Sequence, residues 1–244
     1  MNRADRNKIL AALGIPFIVT LLAWISWLVF SPEVVAWGIH PRNFMGLRGI
    51  LFAPLIHEPS TISHLLNNSI PLLFLGWALY YFYPELANRV FAFIWVFSGF
   101  WVWLAVKDDS YHIGASGIVY GLASFLFYSG IIRKQTNLLG LTMLVTFLYG
   151  GMVWGIFPYD LSISWQGHLF GGIMGLVLAI YYRKEGWQRE KYEWETEPIH
   201  ETFSELNQRH EAVLSGKIPD PNLPVELPPH IVVNYEIVEG NKKD

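Results

Sequence analysis

The sequence predicts an all-helical, polytopic membrane protein with a polar C-terminal tail. Three observations carry this expectation. The 244 residues are 52% hydrophobic and only 15% charged, whereas an ordinary soluble domain needs roughly 25% charged residues to cover its surface. The charges are also segregated: residues 9–182 hold 12 in 174 positions and residues 183–244 hold 21 in 62, so the first region cannot face water on all sides. Finally, the low-charge region divides into apolar runs of the length that crosses a bilayer. The formal charge of -3 separates into +2 for residues 1–182 and -5 for the tail, which excludes a strongly basic nucleic-acid binder. The chain has no cysteine, so disulfides, thiolate zinc sites and a cysteine nucleophile are excluded, and a hydrolytic nucleophile must carry oxygen.

Charge-free runs extend over Ile9–Pro32, Pro59–Pro84, Val90–Val106, Ser110–Ile132, Gln135–Tyr159 and Leu161–Tyr182. A helix rises ~1.5 Å per residue through a hydrocarbon core of ~30 Å, so about 20 apolar residues suffice, and six spans are predicted. The first run follows Arg3, Arg6 and Lys8. It is too long for a signal peptide and has no small-residue cleavage site, so it reads as a retained helix after a short N-terminus, residues 1–8. The loop Glu33–Glu58 carries Trp37, Phe44, Leu47, Leu51 and Phe52 among few charges and is expected to lie in the membrane interface. Val90–Val106 is short and aromatic, with Trp95, Trp101 and Trp103. Residues 9–182 form the membrane body. Residues 183–244 form a tail with Trp187, Tyr192 and Trp194 near its start, a proline-rich stretch from Ile218 to Pro229, and an alternating Ile231, Val233, Tyr235 and Ile237. That tail reads as linker and docking segment for a cytoplasmic partner, or as a merely solvated tail.

A cytoplasmic N-terminus places Arg3, Arg6, Lys8, Arg89, Arg133, Lys134, Arg183 and Lys184 inside and leaves Arg42, Arg48 and Lys107 outside. Eight basic residues against three favour this orientation, with both termini cytoplasmic. The second, fourth and sixth spans then all enter from the external face, and their early residues share a depth.

Strongly polar side chains inside an apolar span cost several kcal/mol unless they are paired or face water, which makes each a functional candidate. His64 and Asn68 lie four residues apart on one face of the second span, Ser116 is early in the fourth and His168 early in the sixth. Counted from the start of each run they are residues 6, 10, 7 and 8, so all four fall in one layer. Gly114 and Gly117 flank Ser116, with Tyr120 and Gly121 beyond; Gly171, Gly172 and Gly175 follow His168. Glycines at spacings of three and four let two helix backbones approach closely in lipid, bringing the serine within reach of the histidine. Neutral imidazole is a base suited to activating a serine hydroxyl. No carboxylate shares the layer, so a Ser-His dyad is expected instead of a triad, with the Ser116 N–H, Asn68 and His64 as candidate oxyanion donors.

Each residue taken singly has a plainer reading. Ser116 and the glycines could be helix-packing residues, His64 and Asn68 a hydrogen-bonded tie between helices, His168 a satisfied core histidine or a proton-relay group, and Tyr120 aromatic filler. A transporter using His64 and His168 as relay groups is therefore a further reading. The conjunction on three same-direction spans favours hydrolysis. Two other chemistries fail on the text. His57, Glu58, Pro59, Ser60, Thr61 lacks the second histidine of HExxH, and GxSxG fails because position 118 is isoleucine. His40, His57 and His112 are external loop histidines, so a surface metal site is conceivable, but their spacing matches no recognised ligand pattern; neither metal nor other cofactor is expected.

Three of these segments resemble the rhomboid family of intramembrane serine proteases. His64-Leu65-Leu66-Asn67-Asn68 is similar to the family's HxxxN, Gly114-Ala115-Ser116-Gly117 to GxSG, and His168-Leu169-Phe170-Gly171 with Gly175 to HxxGxxxG. The resemblance covers the body from Ile9 to Tyr182. It implies a six-helix rhomboid-like bundle in which Ser116 is the nucleophile, His168 its base, His64 and Asn68 line the oxyanion hole, and Tyr120 packs against His168. Arg48 resembles the arginine of a Trp-Arg motif in the first external loop, with Leu47 in the tryptophan's place, and His57 resembles a histidine that organises the water-accessible side. Phe157–Gln166 would form a cap loop, and the fifth span, with Phe147 and Trp154, the moving side of a substrate gate. The implied activity is cleavage of transmembrane segments of membrane proteins near the external face. The rival implied by the same fold is a non-catalytic chaperone or transmembrane-helix binding protein.

Overall fold

The computed structural model describes residues 3–134, 139–140, 143–144, 147, 154–158 and 163–186. Among these, every regular element is helical, and the one pairing of extended backbone is an isolated antiparallel bridge between Ile39 and His112.

Helix α1 (Arg3–Val29) extends further toward the N-terminus than the charge-free run, because Arg3, Arg6 and Lys8 cost nothing at a helix end that leaves the apolar layer. Pro16 lies inside it. Thr20 Oγ1 donates to the Pro16 carbonyl at 2.8 Å, and the proline ring sits where a side chain on Gly76 would otherwise be. Helix α2 (Ile62–Phe82) starts at the N-cap Thr61, whose hydroxyl accepts from Ser63 N–H. Helix α3 (Ala87–Ala105) follows after a four-residue turn. Helices α4 (Ser116–Ile132) and α5 (Trp165–Tyr181) have 17 residues each, a rise of about 25 Å.

Three helices among the described residues, Asp5–Val29, Ile62–Phe82 and Ala87–Ala105, are long and apolar enough to cross a membrane, and Ser116–Ile132 and Trp165–Tyr181 are shorter apolar helices. Most of the predicted fifth span lies outside the described residues; positions 139–140, 143–144 and 147 are helical. The tail from Trp187 onward, with its expected linker and docking strand, lies outside them as well.

The core is apolar: Leu72, Leu75 and Leu79 of α2, Ile94 of α3 and Ile118, Leu122, Phe125 and Leu126 of α4 are buried together. The outward faces are apolar too, with Phe17, Leu28, Phe74, Phe93, Ile173 and Val177 exposed. An exterior of that kind suits lipid and not water. Helices α4 and α5 touch backbone to backbone: a side chain on Gly171 would overlap the Gly117 carbonyl, and one on Gly175 the Gly121 carbonyl. Ser124 Oγ keys this smooth seam by donating to the Gly172 carbonyl at 2.7 Å.

Between α1 and α2 the chain forms short helical turns, Pro32–Trp37, Phe44–Arg48, Gly49–Phe52 and Ala53–Leu55. Indole groups of α3 hold this loop, Trp95 Nε1 donating to the Ile50 carbonyl at 3.0 Å and Trp103 Nε1 to the Asn43 carbonyl at 2.8 Å. Trp37, Phe44, Leu51 and Phe52 are exposed. Leu47 is only half-buried.

One boundary departs instructively from the charge pattern. The fourth charge-free run begins at Ser110, but α4 begins at Ser116. Residues 110–115 form a non-helical strap, held at His112 by the bridge to Ile39 and turned at Gly114, whose φ of +100° stops a helix from starting earlier.

Candidate active site

The start of α4 presents Ser116 as its first residue, and His168 is the fourth residue of α5. The glycine seam brings the two together: Ser116 Oγ and His168 Nε2 are 2.7 Å apart. The other ring nitrogen, Nδ1, is 2.8 Å from the carbonyl oxygen of Gly155. A carbonyl can only accept, so Nδ1 carries the proton and Nε2 is bare. Ser116 O–H therefore donates to Nε2, which is the arrangement of a base holding a hydroxyl. Tyr120, one turn along α4, stacks on the imidazole with ring centroids 4.2 Å apart and planes within 6°. His168 is buried, at 8% exposure.

Helix α2 brings a second set of groups to the same end of the bundle. His64 is its third residue and Asn68 its seventh. The Glu58 backbone N–H donates to His64 Nδ1 at 3.3 Å, so the same tautomer logic leaves Nε2–H as a donor. Asn68 Nδ2 donates back to the His64 carbonyl at 3.0 Å. Both side chains converge on Gly114: a methyl built there would be 2.7 Å from His64 Nε2 and 3.4 Å from Asn68 Nδ2. Gly114 is thus needed twice, for its positive φ and because His64 packs directly against it. The first N–H groups of α4, that of Ser116 included, have no carbonyl within their own helix to bond. Beside Ser116 lies a cavity of about 420 Å³, its open mouth included, bounded in part by Ile39, Trp95, Ser98, Val102 and Gly117.

The sequence motifs thus gather around one point. A family model described as the rhomboid domain matches residues 45–185. The chain belongs to the rhomboid family. An uncharacterized protein of Mycobacterium tuberculosis is 38% identical over 153 residues, which is 58% of this chain and 62% of the relative. A Mycobacterium bovis protein, also uncharacterized, matches with the same figures. An uncharacterized protein of Mycobacterium leprae is 37% identical over 178 residues, 66% of this chain and 69% of the relative. The chain thus spans about 62% of the length of the first two relatives. Rhomboid membership together with the apolar helices makes this an integral membrane protein.

The remaining rhomboid-like positions show how this chain builds its periphery. Arg48 has no tryptophan beside it, yet it has one against it: its guanidinium lies 4.4 Å from the ring centroid of Trp37, and Nη2 donates to the Ala36 carbonyl at 3.2 Å. His57 is buried at 3% exposure, with its ring centroid 5.0 Å from that of His64. Neither His57 nitrogen has a hydrogen-bond partner among the described residues. Burial, reinforced by the neighbouring His64, pushes the His57 imidazole down to about 3. Of the expected gate, Phe147 and Trp154 are strongly exposed; of the expected cap loop, residues 159–162 lie outside the described residues. His40 contacts Asp109 at 2.7 Å, and His112 lies between Asp108 and Ser164. Sequence reasoning missed Gly155, which acts through a backbone carbonyl and so has no side-chain signature. It also missed Ser164, for which the only signal is a serine ahead of an apolar helix.

Proposed function

We propose that this rhomboid is an intramembrane serine endopeptidase that cleaves transmembrane segments of membrane proteins near the external face. The observation that carries the proposal is the chain of contacts Gly155 carbonyl, His168, Ser116, in which the tautomer set by the carbonyl leaves the base free for the hydroxyl. Ser116 Oγ attacks the scissile carbonyl carbon while His168 Nε2 takes its proton. The tetrahedral oxyanion develops over Gly114, where His64 Nε2–H, an Asn68 N–H and the Ser116 N–H can donate. Protonated His168 then returns the proton to the departing amine, and water releases the acyl group by the reverse sequence. The Gly155 carbonyl takes the orienting place that a carboxylate has in a triad. Tyr120 holds the ring plane, and the cavity beside Ser116 receives a side chain next to the scissile bond.

Six spans in residues 9–182 are supported by the charge-free runs, cytoplasmic termini by the basic-residue distribution, and an external site by that orientation together with His64, Ser116 and His168 in the first turns of their helices. A site at that depth admits water from one face only, as hydrolysis within a bilayer requires. A substrate helix must unwind before its backbone can be attacked, so helix-weakening residues near the scissile bond favour cleavage. The non-catalytic, helix-binding reading gains nothing from a serine and histidine at hydrogen-bond distance. The test is the purified chain in liposomes with single-span test substrates. Cleavage by wild type and none by Ser116→Ala is expected; equal cleavage by both overturns the proposal.

A further inference from the structure

Ser116 and His168 are 52 residues apart, and so are His112 and Ser164. The second pair lies four residues before the first on both segments and is joined by a hydrogen bond of the same 2.7 Å length, between His112 Nδ1 and Ser164 Oγ. Ser164 is the N-cap of α5: its Oγ accepts Gly167 N–H at 3.4 Å and its carbonyl accepts His168 N–H at 3.2 Å. His112 is held from the other side. Its N–H and carbonyl are both paired with Ile39, at 2.8 and 2.9 Å, and Gly114 N–H donates to the Ala53 carbonyl at 2.9 Å two residues on. His112 Nε2 is 3.0 Å from Asp108 Oδ1. Burial works against ionising Asp108, but hydrogen bonds from Ser110 and His112 outweigh it and hold the carboxyl below its usual range. A carboxylate only accepts, so Nε2 carries the proton, Nδ1 is bare, and Ser164 O–H donates to it while its lone pairs serve Gly167. Every donor and acceptor in the chain is matched in one direction.

The need for such a device is geometric. The α4–α5 seam is made of glycines, which pack closely but have no side chains to resist sliding along the helix axes. Ser124 keys the seam beyond the dyad, and the His112–Ser164 bond keys it one turn before. We propose that His112, oriented by Asp108, is a positioning residue: its bond to Ser164 fixes the start of the His168 helix against the strap that carries Ser116. This rests on Ser116 and His168 being the reacting pair.

The test is the labelling kinetics of the full chain in detergent with a fluorophosphonate probe, in which Ser116 Oγ bonds to phosphorus, fluoride leaves and His168 takes the proton. Rates are normalised to folded protein. His112 and Ser164 also line the cavity beside Ser116, so the probe carries a methyl group too small to fill it; His112→Leu and Ser164→Ala should then each lower the limiting labelling rate about 10- to 100-fold, with the half-saturating probe concentration changed by less than about 2-fold. The double variant should be no worse than the poorer single variant, since both remove one bond. His112→Asn, which offers an acceptor at the place of Nδ1, should recover part of the rate. Ser164→Ala removes one oxygen and carries the test if His112→Leu does not fold. An unchanged rate per folded molecule, or effects that multiply in the double variant, overturns positioning by His112. Labelling that survives Ser116→Ala instead overturns the proposed dyad, so the two failures are distinct.

Discussion

A side chain on Gly114 cannot coexist with His64 in its present place: a methyl there would lie 2.7 Å from His64 Nε2. The same glycine has φ +100°. The strap before Ser116 therefore passes close against His64 and Asn68, the proposed oxyanion donors, and any side chain at this position displaces His64.

Gly114→Ala should cost about 1–2 kcal/mol of stability from the backbone conformation alone, and activity per folded molecule should fall about 100- to 1,000-fold, the loss typical of one oxyanion donor. Thermal midpoints and cleavage rates, measured together, separate the two effects. A variant that is destabilised yet cleaves normally would show that His64, displaced by the methyl, is not an oxyanion donor.

Gly155→Ala should lower turnover with little change in substrate affinity. The added methyl would overlap the Tyr120 hydroxyl and lie 3.1 Å from His168 Nδ1, so the carbonyl must shift off the imidazole. A loss of about 100-fold is expected from misplacement on the ångström scale. Steady-state kinetics would show it in kcat, with KM nearly constant.

Tyr120 offers the imidazole a ring face, and its hydroxyl takes no part in that contact. Tyr120→Phe should keep activity within about 2-fold, while Tyr120→Ala should lose the roughly 0.5–1.5 kcal/mol of an aromatic pair, up to about 10-fold in rate. Equal losses in both variants would assign the effect to the hydroxyl instead.

Trp37 and Arg48 should be coupled energetically although they are not adjacent in sequence. A double-mutant cycle of Trp37→Ala and Arg48→Ala, read by thermal unfolding in detergent, should give a coupling of about 0.5–2 kcal/mol for the cation–π contact. No coupling would mean that the Arg48 bond to the Ala36 carbonyl alone secures the loop.

His57 gives stability a pH dependence of defined sign. Its imidazole is held neutral in the fold, down to about 3, while the unfolded chain takes up a proton near the ordinary value of 6.5. The contribution is complete above the unfolded value and is lost as pH falls from there toward 3. The thermal midpoint of His57→Phe should therefore decline less steeply below pH 6.5 than that of wild type.

Much of this arrangement is legible in the sequence because lipid is an intolerant solvent. His64, Asn68, Ser116 and His168 stand out for being polar where polarity is costly, and the glycines beside them announce a close helix contact. Other features have no such signal. Nothing in the apolar run Ser110–Ile132 distinguishes the non-helical strap from the helix, since neutrality is common to both; the break depends on the φ of Gly114 and on pairing with Ile39. The orienting acceptor of His168 is a backbone carbonyl, identical in every residue type. Trp37 replaces a neighbouring tryptophan beside Arg48 only because the loop folds back on itself. Ser164 reads as an ordinary helix cap until His112, 52 residues away, is seen against it.

The central claim is that His168 activates Ser116. Wild type, Ser116→Ala and His168→Ala should be treated with a fluorophosphonate, verified as folded, and analysed by intact-protein and peptide mass spectrometry. A single adduct on Ser116 in wild type, absent from both variants, is the predicted result. An adduct that persists in His168→Ala at the wild-type rate, or a folded wild-type protein that forms none, would contradict it.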